Sequence, residues 1–598
     1  MEATLTPTGA EDVSWDLSDL YAGPEDAALA GEQEEARAAA GAFNERYAGH
    51  VAELDAAGLA EAVTELERIG SLAERVRTYA YLHFSTDTAD PARGALLQRV
   101  EEATASLETE ILFFRLEWNA VDDARAAELL AGEELQRYRH FLESERRYRP
   151  HLLSEPEERI LTEKAVSGST AWGRLYGELL TALRAPYDGR EVSLEEVLAL
   201  LQNPDRDVRK AAAEAVTAAL RPGLRTRASA FNALLLDKAI DDRLRGYTHW
   251  LAARNLSNET SDEAVEALVE AVVERNDIPQ RWYRVKARLL GLDRLRDYDR
   301  MAPLSTETSR TSWDEARKTV LGAFADFSSE AGRIATDFFE RRWIDAPVRS
   351  DKALGAFCAT SVPGVHPYVL MNFTGDRRSV FTLAHELGHG VHGALAQPLG
   401  ALNASPPLTL AETASVFGEA LTFRTLLEQE QDPRRRLDLL AGRIEDAIAT
   451  IHRQIGMNRY EHEVHTRRRN EGELSADALS ELWRTTQGAV LGDAVELTEG
   501  YETWWSYVPH FVVSPGYVYA YAYGYLFSLA IYRRYERDGE AIVEPYLDLL
   551  RAGGSQSPDR LAALVGLDVT QRSLWDDGLE ALDALLGEAE EIAASLQP

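Results

Sequence analysis

Two histidines four residues apart, with a glutamate directly after the first, are the residues of this chain best suited to chemistry. In His385-Glu386-Leu387-Gly388-His389 both imidazoles share one face if the segment is helical, because positions i and i+4 project the same way. Such a nitrogen pair suits zinc, which in hydrolytic sites takes a third protein ligand and keeps one position for water. Glu386 stands about 100° around a helix of ~3.6 residues per turn from His385. Its carboxylate is therefore free to face the water as a general base, and the chemistry implied is hydrolysis.

The third ligand must come from elsewhere. Pro398 to Leu408 is rich in Gly, Pro, Ser and Asn and reads as a loop. A second helix after it presents Glu412, Ser415 and Glu419 on one polar stripe, and by spacing alone either glutamate qualifies. His392 lies two turns from His385, too far for one ion to reach all three histidines, so a supporting role is expected. His462-Glu463-Val464-His465 has only two residues between its histidines and no loop with a carboxylate behind it, and is expected to pack. Cys358, the single cysteine, is likewise expected to pack.

These residues need a scaffold. Phe381 to Ala396 reads as one helix, with Val380, Leu383, Ala384, Leu387 and Val391 on its buried face. Helical periodicity also runs through about 25–49, 56–84, 96–118, 122–145, 208–256, 261–291, 309–342, 432–467 and 474–490. Strand-like text is limited to Gly355-Ala-Phe-Cys-Ala-Thr and Tyr368-Val-Leu-Met-Asn-Phe, just before the histidine motif. The expected class is mainly α, with one small sheet beside the metal-binding helices. At 598 residues the chain is long enough for more than one lobe. The turn at Tyr187-Asp-Gly-Arg suggests an N-terminal helical domain over 1–190 and a catalytic domain over 191–598.

Composition narrows the partners. A formal net charge of −35 argues against nucleic acid and anionic membrane, which need a basic footprint. One cysteine excludes an intramolecular disulfide framework and points to a reducing compartment. Met1 to Leu20 lacks a basic start followed by an apolar stretch, and no later run is long enough to span a bilayer, so a cytoplasmic protein is expected. Oligomeric state is not legible.

With these residues placed, the chain resembles the M3 family of zinc metallopeptidases, in its oligoendopeptidase F branch. The likeness covers nearly the whole chain: Trp15-Asp-Leu-Ser-Asp-Leu, Gly355-Ala-Phe-Cys, His366-Pro-Tyr, Phe381 through His392, and Ala411-Glu-Thr-Ala-Ser-Val-Phe-Gly-Glu. The resemblance implies one zinc ion per chain, with Glu412 as third ligand beside His385 and His389, and Glu419 in support. It also implies a two-lobed helical fold enclosing a deep channel, and short unstructured oligopeptides as substrates. The segment from His510 to Tyr525 resembles the family's His-and-tyrosine segment. That implies His510 and Tyr517 as donors to the oxyanion and Tyr521 as a substrate contact. It departs from the family at Gly516, where an aromatic residue is more usual, so the register among Tyr519, Tyr521, Tyr523 and Tyr525 stays open. Gly355, Ala356 and Phe357 are expected to pair with an extended peptide by β-addition. A zinc metallocarboxypeptidase of similar architecture is the rival, separable by whether blocked peptides are cut.

Overall fold

The computed structural model describes residues 7–305, 310–360 and 364–596. Residues 1–6, part of the stretch searched for a leader, and residue 309, at the edge of one expected helix, lie outside them. The fold is mainly α, as expected: helices hold 71% of the chain, and the strands serve as local supports. No helix among the described residues is long and apolar enough to cross a membrane.

The chain groups into two compact units, each built from three separate segments. The first takes Met1–Arg149, Thr308–Gln429 and Ile531–Asp568; the second takes Pro150–Glu307, Glu430–Ala530 and Val569–Pro598. This differs from a single cut at residue 190. The turn at Asp188-Gly189 joins a hairpin, Arg184–Tyr187 with Arg190–Ser193, that lies inside the second unit. Helices group by the apolar faces they share, and chain order does not constrain that.

In the first unit α1 (Ala27–Tyr47), α2 (Ala56–Ser85) and α3 (Pro91–Ala120) pack together around Phe43, Leu59, Phe114 and Trp118. Each starts behind an aspartate, Asp26, Asp55 or Asp90, whose carboxylate accepts an N–H of the first turn. A cap of this kind stabilises a helix by about 1 kcal/mol. The same unit holds a three-stranded sheet of β1 (Ile344–Asp345), β2 (Phe357–Ala359) and β3 (Tyr368–Leu370), in the order β1-β3-β2. Cys358 faces Val369 in the antiparallel β2–β3 pair. The strands are shorter than the apolar text suggests. Gly355, with φ +79°, breaks the extended backbone ahead of β2.

Against this sheet lies α4 (Arg377–Ala396), which begins behind Asp376, whose side chain accepts the Ser379 N–H at 2.8 Å. Its partner is α5 (Thr413–Gln429). The two helices approach so closely that a Cβ on Gly388 would lie 2.3 Å from the Ala414 carbonyl oxygen. A Cβ on Gly418 would lie 2.9 Å from the Ala384 carbonyl oxygen. Glycine at these two positions lets the backbones touch, which brings the start of α5 to the histidine face of α4.

The second unit contains α6 (His452–Glu471), α7 (Ala476–Leu491) and the start of α8 (Tyr519–Asp538). Phe231, Tyr460, Trp483, Trp505 and Phe511 are buried in its core. Several long periodic stretches prove to be two or more helices. The 309–342 stretch is Trp313–Phe327 and Ser329–Glu340, divided at Ser328, which is extended and accepts N–H groups of Glu330 and Ala331. The 208–256 stretch breaks at Pro222-Gly223, where Gly223 has φ +72°. The apolar stripe continues across each break because both pieces face one core.

Candidate functional site

His385, His389 and Glu412 form one cluster, and among the described residues it is the only group of three or more such side chains close enough to hold an ion. Their ligand atoms all lie within 4.8 Å of one another. Glu412 Oε2 is 3.3 Å from His385 Nε2 and 3.5 Å from His389 Nε2. Donor atoms bound tetrahedrally at about 2.0–2.1 Å sit about 3.3–3.4 Å apart, so the two separations from Glu412 match those of ligands sharing a small divalent ion. Glu412 immediately precedes α5, and the Ser415 hydroxyl donates to its Oε2 at 2.7 Å, which fixes the carboxylate.

Glu419 takes a different position. Its Oε1 lies 2.6 Å from Nδ1 of His385, on the far side of that ring from Glu412. A carboxylate only accepts, so Nδ1 carries a hydrogen, and in the neutral ring Nε2 is the nitrogen whose lone pair faces the cluster. His392 is buried and lines the same cavity, and its Nε2 has no hydrogen-bond partner. Burial and the neighbouring His389 push it down to about 3, so it is neutral.

The electrostatics without an ion are unbalanced. Burial disfavours the charged form of His385, yet the Glu419 hydrogen bond and the charges of Glu419, Glu412 and Glu386 outweigh it and raise it to about 9. Burial holds His389 down. Glu386, buried within α4, is pushed up to about 7 by burial, against the pull of His385. At pH 7 the metal-free cluster therefore carries a proton on His385 that must leave before Nε2 can bind an ion. Ion binding is expected to release at least about one proton at pH 7, falling toward none by pH 10. Calorimetry in buffers of different ionisation enthalpy measures this directly.

The cluster opens into a cavity of about 960 Å³ contained within the first unit. One wall is β2 with Ala356, Phe357 and Cys358; Gly355 sits just outside, its carbonyl accepting from Asn372 Nδ2 at 3.0 Å. As the end strand of its sheet, β2 keeps one edge free of strand pairing among the described residues. Burial and the Glu386 charge raise the Cys358 thiol, so it stays protonated and is no nucleophile. The opposite wall was not legible in the sequence. It comes from α2 and α3, with Gly70, Glu74, Arg77, Thr104 and Glu108. These residues sit in ordinary amphipathic helices some 300 positions before the motif, and no local signal marks them.

His510, Tyr517 and Tyr521 gather in the second unit. The His510 and Tyr517 rings are near-parallel with centroids 6.2 Å apart. His510 Nε2 is 3.3 Å from the Tyr521 hydroxyl, and Tyr521 meets Tyr517 edge-on at 4.9 Å. Burial, then Arg453, lowers His510, which favours the neutral ring. Burial sorts the tyrosines of this segment into two groups. Tyr519, Tyr523 and Tyr525 point into the core, Tyr519 bonding Asn255 and Asn258 at 2.8 and 2.9 Å. Tyr517 and Tyr521 are only partly buried beside His510. Among the described residues the second histidine pair belongs to no such cluster: His465 is buried and stacks on Trp250 at 4.7 Å.

Comparison with known proteins gives the family. Residues 324–581 match the model of peptidase family M3, and residues 117–184 match the oligopeptidase F model, together more than half of the chain. Oligopeptidase PepF of Bacillus subtilis is 28% identical, over 92% of this chain and 82% of its own. Group B oligopeptidase PepB of Streptococcus agalactiae is 26% identical, over 92% of each. The crystal structure of oligoendopeptidase-F from Enterococcus faecium superposes with a TM-score of 0.69 at 22% identity, covering 94% of this chain and 99% of that one. A crystallised chain from Chlamydophila abortus superposes with a TM-score of 0.88 at 21% identity, covering 98% and 100%. With both family models matched and the named relatives spanning its length, this chain belongs to peptidase family M3, in the oligopeptidase F branch, and is a metalloendopeptidase.

Proposed function

We propose that the chain hydrolyses internal peptide bonds of short, unstructured oligopeptides with one zinc ion held by His385, His389 and Glu412. The observation that carries this reading is the convergence of those three ligand atoms, with the carboxyl of Glu386 lining the same cavity. The relatives named oligopeptidase and oligoendopeptidase support the substrate class. A cavity of about 960 Å³ suits a few extended residues and excludes a folded domain.

Zinc, when bound, polarises a water molecule and the scissile carbonyl. Glu386 takes the proton of the attacking water and delivers it to the leaving nitrogen. Glu419 keeps His385 in the tautomer that leaves Nε2 free, and His392 supports the site as a neutral ring. The outer edge of β2 at Phe357, with Gly355 and Ala356 just ahead of it, pairs with the extended substrate backbone, and the resemblance assigns Tyr521 a substrate contact. The resemblance to the family assigns His510 and Tyr517, each of which carries a hydrogen-bond donor, to the oxyanion that forms as the carbonyl is attacked. The single cysteine supports a cytoplasmic site of action.

The test is cleavage of end-blocked, internally quenched peptides with and without a chelator. Cleavage that stops with chelator and returns with zinc supports the reading; cleavage only of peptides with free C-termini overturns it. Tyr517→Phe removes one donor whose contact forms in the transition state. It is expected to lower kcat by about 10²- to 10³-fold with KM little changed. A rise in KM alone in steady-state kinetics would remove Tyr517 from the oxyanion role.

A further inference from the structure

Glu461 lies on α6 with 1% of its surface exposed, and nothing in the proposed reaction uses it. A buried carboxyl is costly unless its oxygens are satisfied. Its Oε1 accepts the Gly516 N–H at 2.8 Å, while its Oε2 is buried without a hydrogen-bond partner. Arg254 Nε donates to the Pro515 carbonyl at 3.4 Å. The Pro515 carbonyl and the Gly516 N–H belong to one peptide group and point in opposite directions. That single peptide plane is therefore pinned from both sides.

The pinned plane stands where the backbone changes direction, between the short helix His510–Val513 and α8. Gly516 has φ +73°, and a Cβ there would lie 2.6 Å from Leu251 Cδ1 and 3.4 Å from the Trp250 ring. This suits glycine at the position: a side chain has neither the backbone conformation nor the space. Tyr517 follows directly. The orientation of the Pro515-Gly516 peptide sets the direction in which its side chain leaves the backbone toward His510.

We infer that Glu461 is a positioning residue for Tyr517, holding the Pro515-Gly516 peptide so that the phenol stays beside His510. The inference rests on the reading of Tyr517 as an oxyanion donor. Burial raises Glu461 to about 8, against the Gly516 N–H and the cations Arg254 and Lys238 that face it. At neutral pH it is mostly the uncharged acid, so glutamine is the conservative replacement and keeps the acceptor oxygen, whereas leucine fills the space and removes it.

The test uses the full-length, metal-loaded protein carrying Glu461→Leu or Glu461→Gln, each with and without Tyr517→Phe. Glu461→Leu is expected to lower kcat by about 10- to 100-fold with KM within about twofold, as for a misplaced reacting group. Amide exchange in the 514–518 segment is expected to accelerate about tenfold or more. Glu461→Gln is expected to restore both, and in the Tyr517→Phe background Glu461→Leu should add little further loss. Unchanged exchange in 514–518, or an equal kcat loss in both backgrounds, overturns the positioning role. Unchanged kcat in Tyr517→Phe alone overturns the oxyanion reading and the positioning role with it, and is recognised because Glu461 is then intact. Should Glu461→Leu fail to fold, Arg254→Met, which frees the other side of the same peptide, carries the same expectations.

Discussion

In the Glu386→Gln variant, peptide cleavage is expected to fall by about 10³- to 10⁴-fold while the metal stays bound. Glutamine preserves the size of the side chain and leaves His385, His389 and Glu412 untouched, so ion content by elemental mass spectrometry should match the parent. What it removes, on the proposed mechanism, is the acceptor for the proton of the attacking water and, later, the donor to the leaving nitrogen. A loss of 10⁴ corresponds to about 5 kcal/mol of barrier. The pH dependence gives a second check with a definite sign. Without an ion, burial sets Glu386 at about 7. A nearby dication favours the carboxylate and moves it lower. The base must be ionised, so kcat/KM should fall as pH drops through a value below 7, and that acid limb should be missing from the residual activity of the glutamine variant. Near-parent cleavage in Glu386→Gln would refute the general-base role.

Much of the centre was legible because its information is local. The i, i+4 histidines and the apolar stripe Val380, Leu383, Ala384, Leu387, Val391 announce a helix with two imidazoles on one face, and α4 is that helix. Spacing could not choose between Glu412 and Glu419, because the choice depends on where α5 begins relative to α4. That depends on the close approach at Gly388 and Gly418. The helix breaks at Ser328 and Pro222-Gly223 were hidden by stripes that continue across them. The C-terminal helix Arg572–Ser595 was legible but unread: Trp575, Leu579, Leu582, Leu586 and Ala589 step by three and four. The cavity wall from α2 and α3 had no such trace, since its residues are defined only by what packs opposite them.

Glu412→Gln is expected to empty the centre, whereas Glu419→Gln should only weaken it. A neutral imidazole has one lone pair, and the nitrogen that donates a hydrogen bond cannot bind an ion through the same position. Glu419 occupies Nδ1 of His385, so it stands outside the ligand set. Glu412 is within 3.5 Å of the Nε2 atoms of both histidines, which is why it is proposed inside the set. Replacing Glu412 with an amide removes the one charged ligand facing two neutral rings, so the ion should be lost on dialysis and cleavage should fall to background. Replacing Glu419 leaves three ligands but exchanges a charge-assisted hydrogen bond for a neutral one, which costs about 10- to 100-fold in metal affinity. Competition with a chromogenic chelator measures both. The order is the decisive quantity: were Glu419→Gln to lose the ion while Glu412→Gln kept it, the ligand assignment would be reversed. Excess zinc offers the final discrimination, because it should restore turnover to Glu419→Gln by mass action and leave Glu412→Gln inactive.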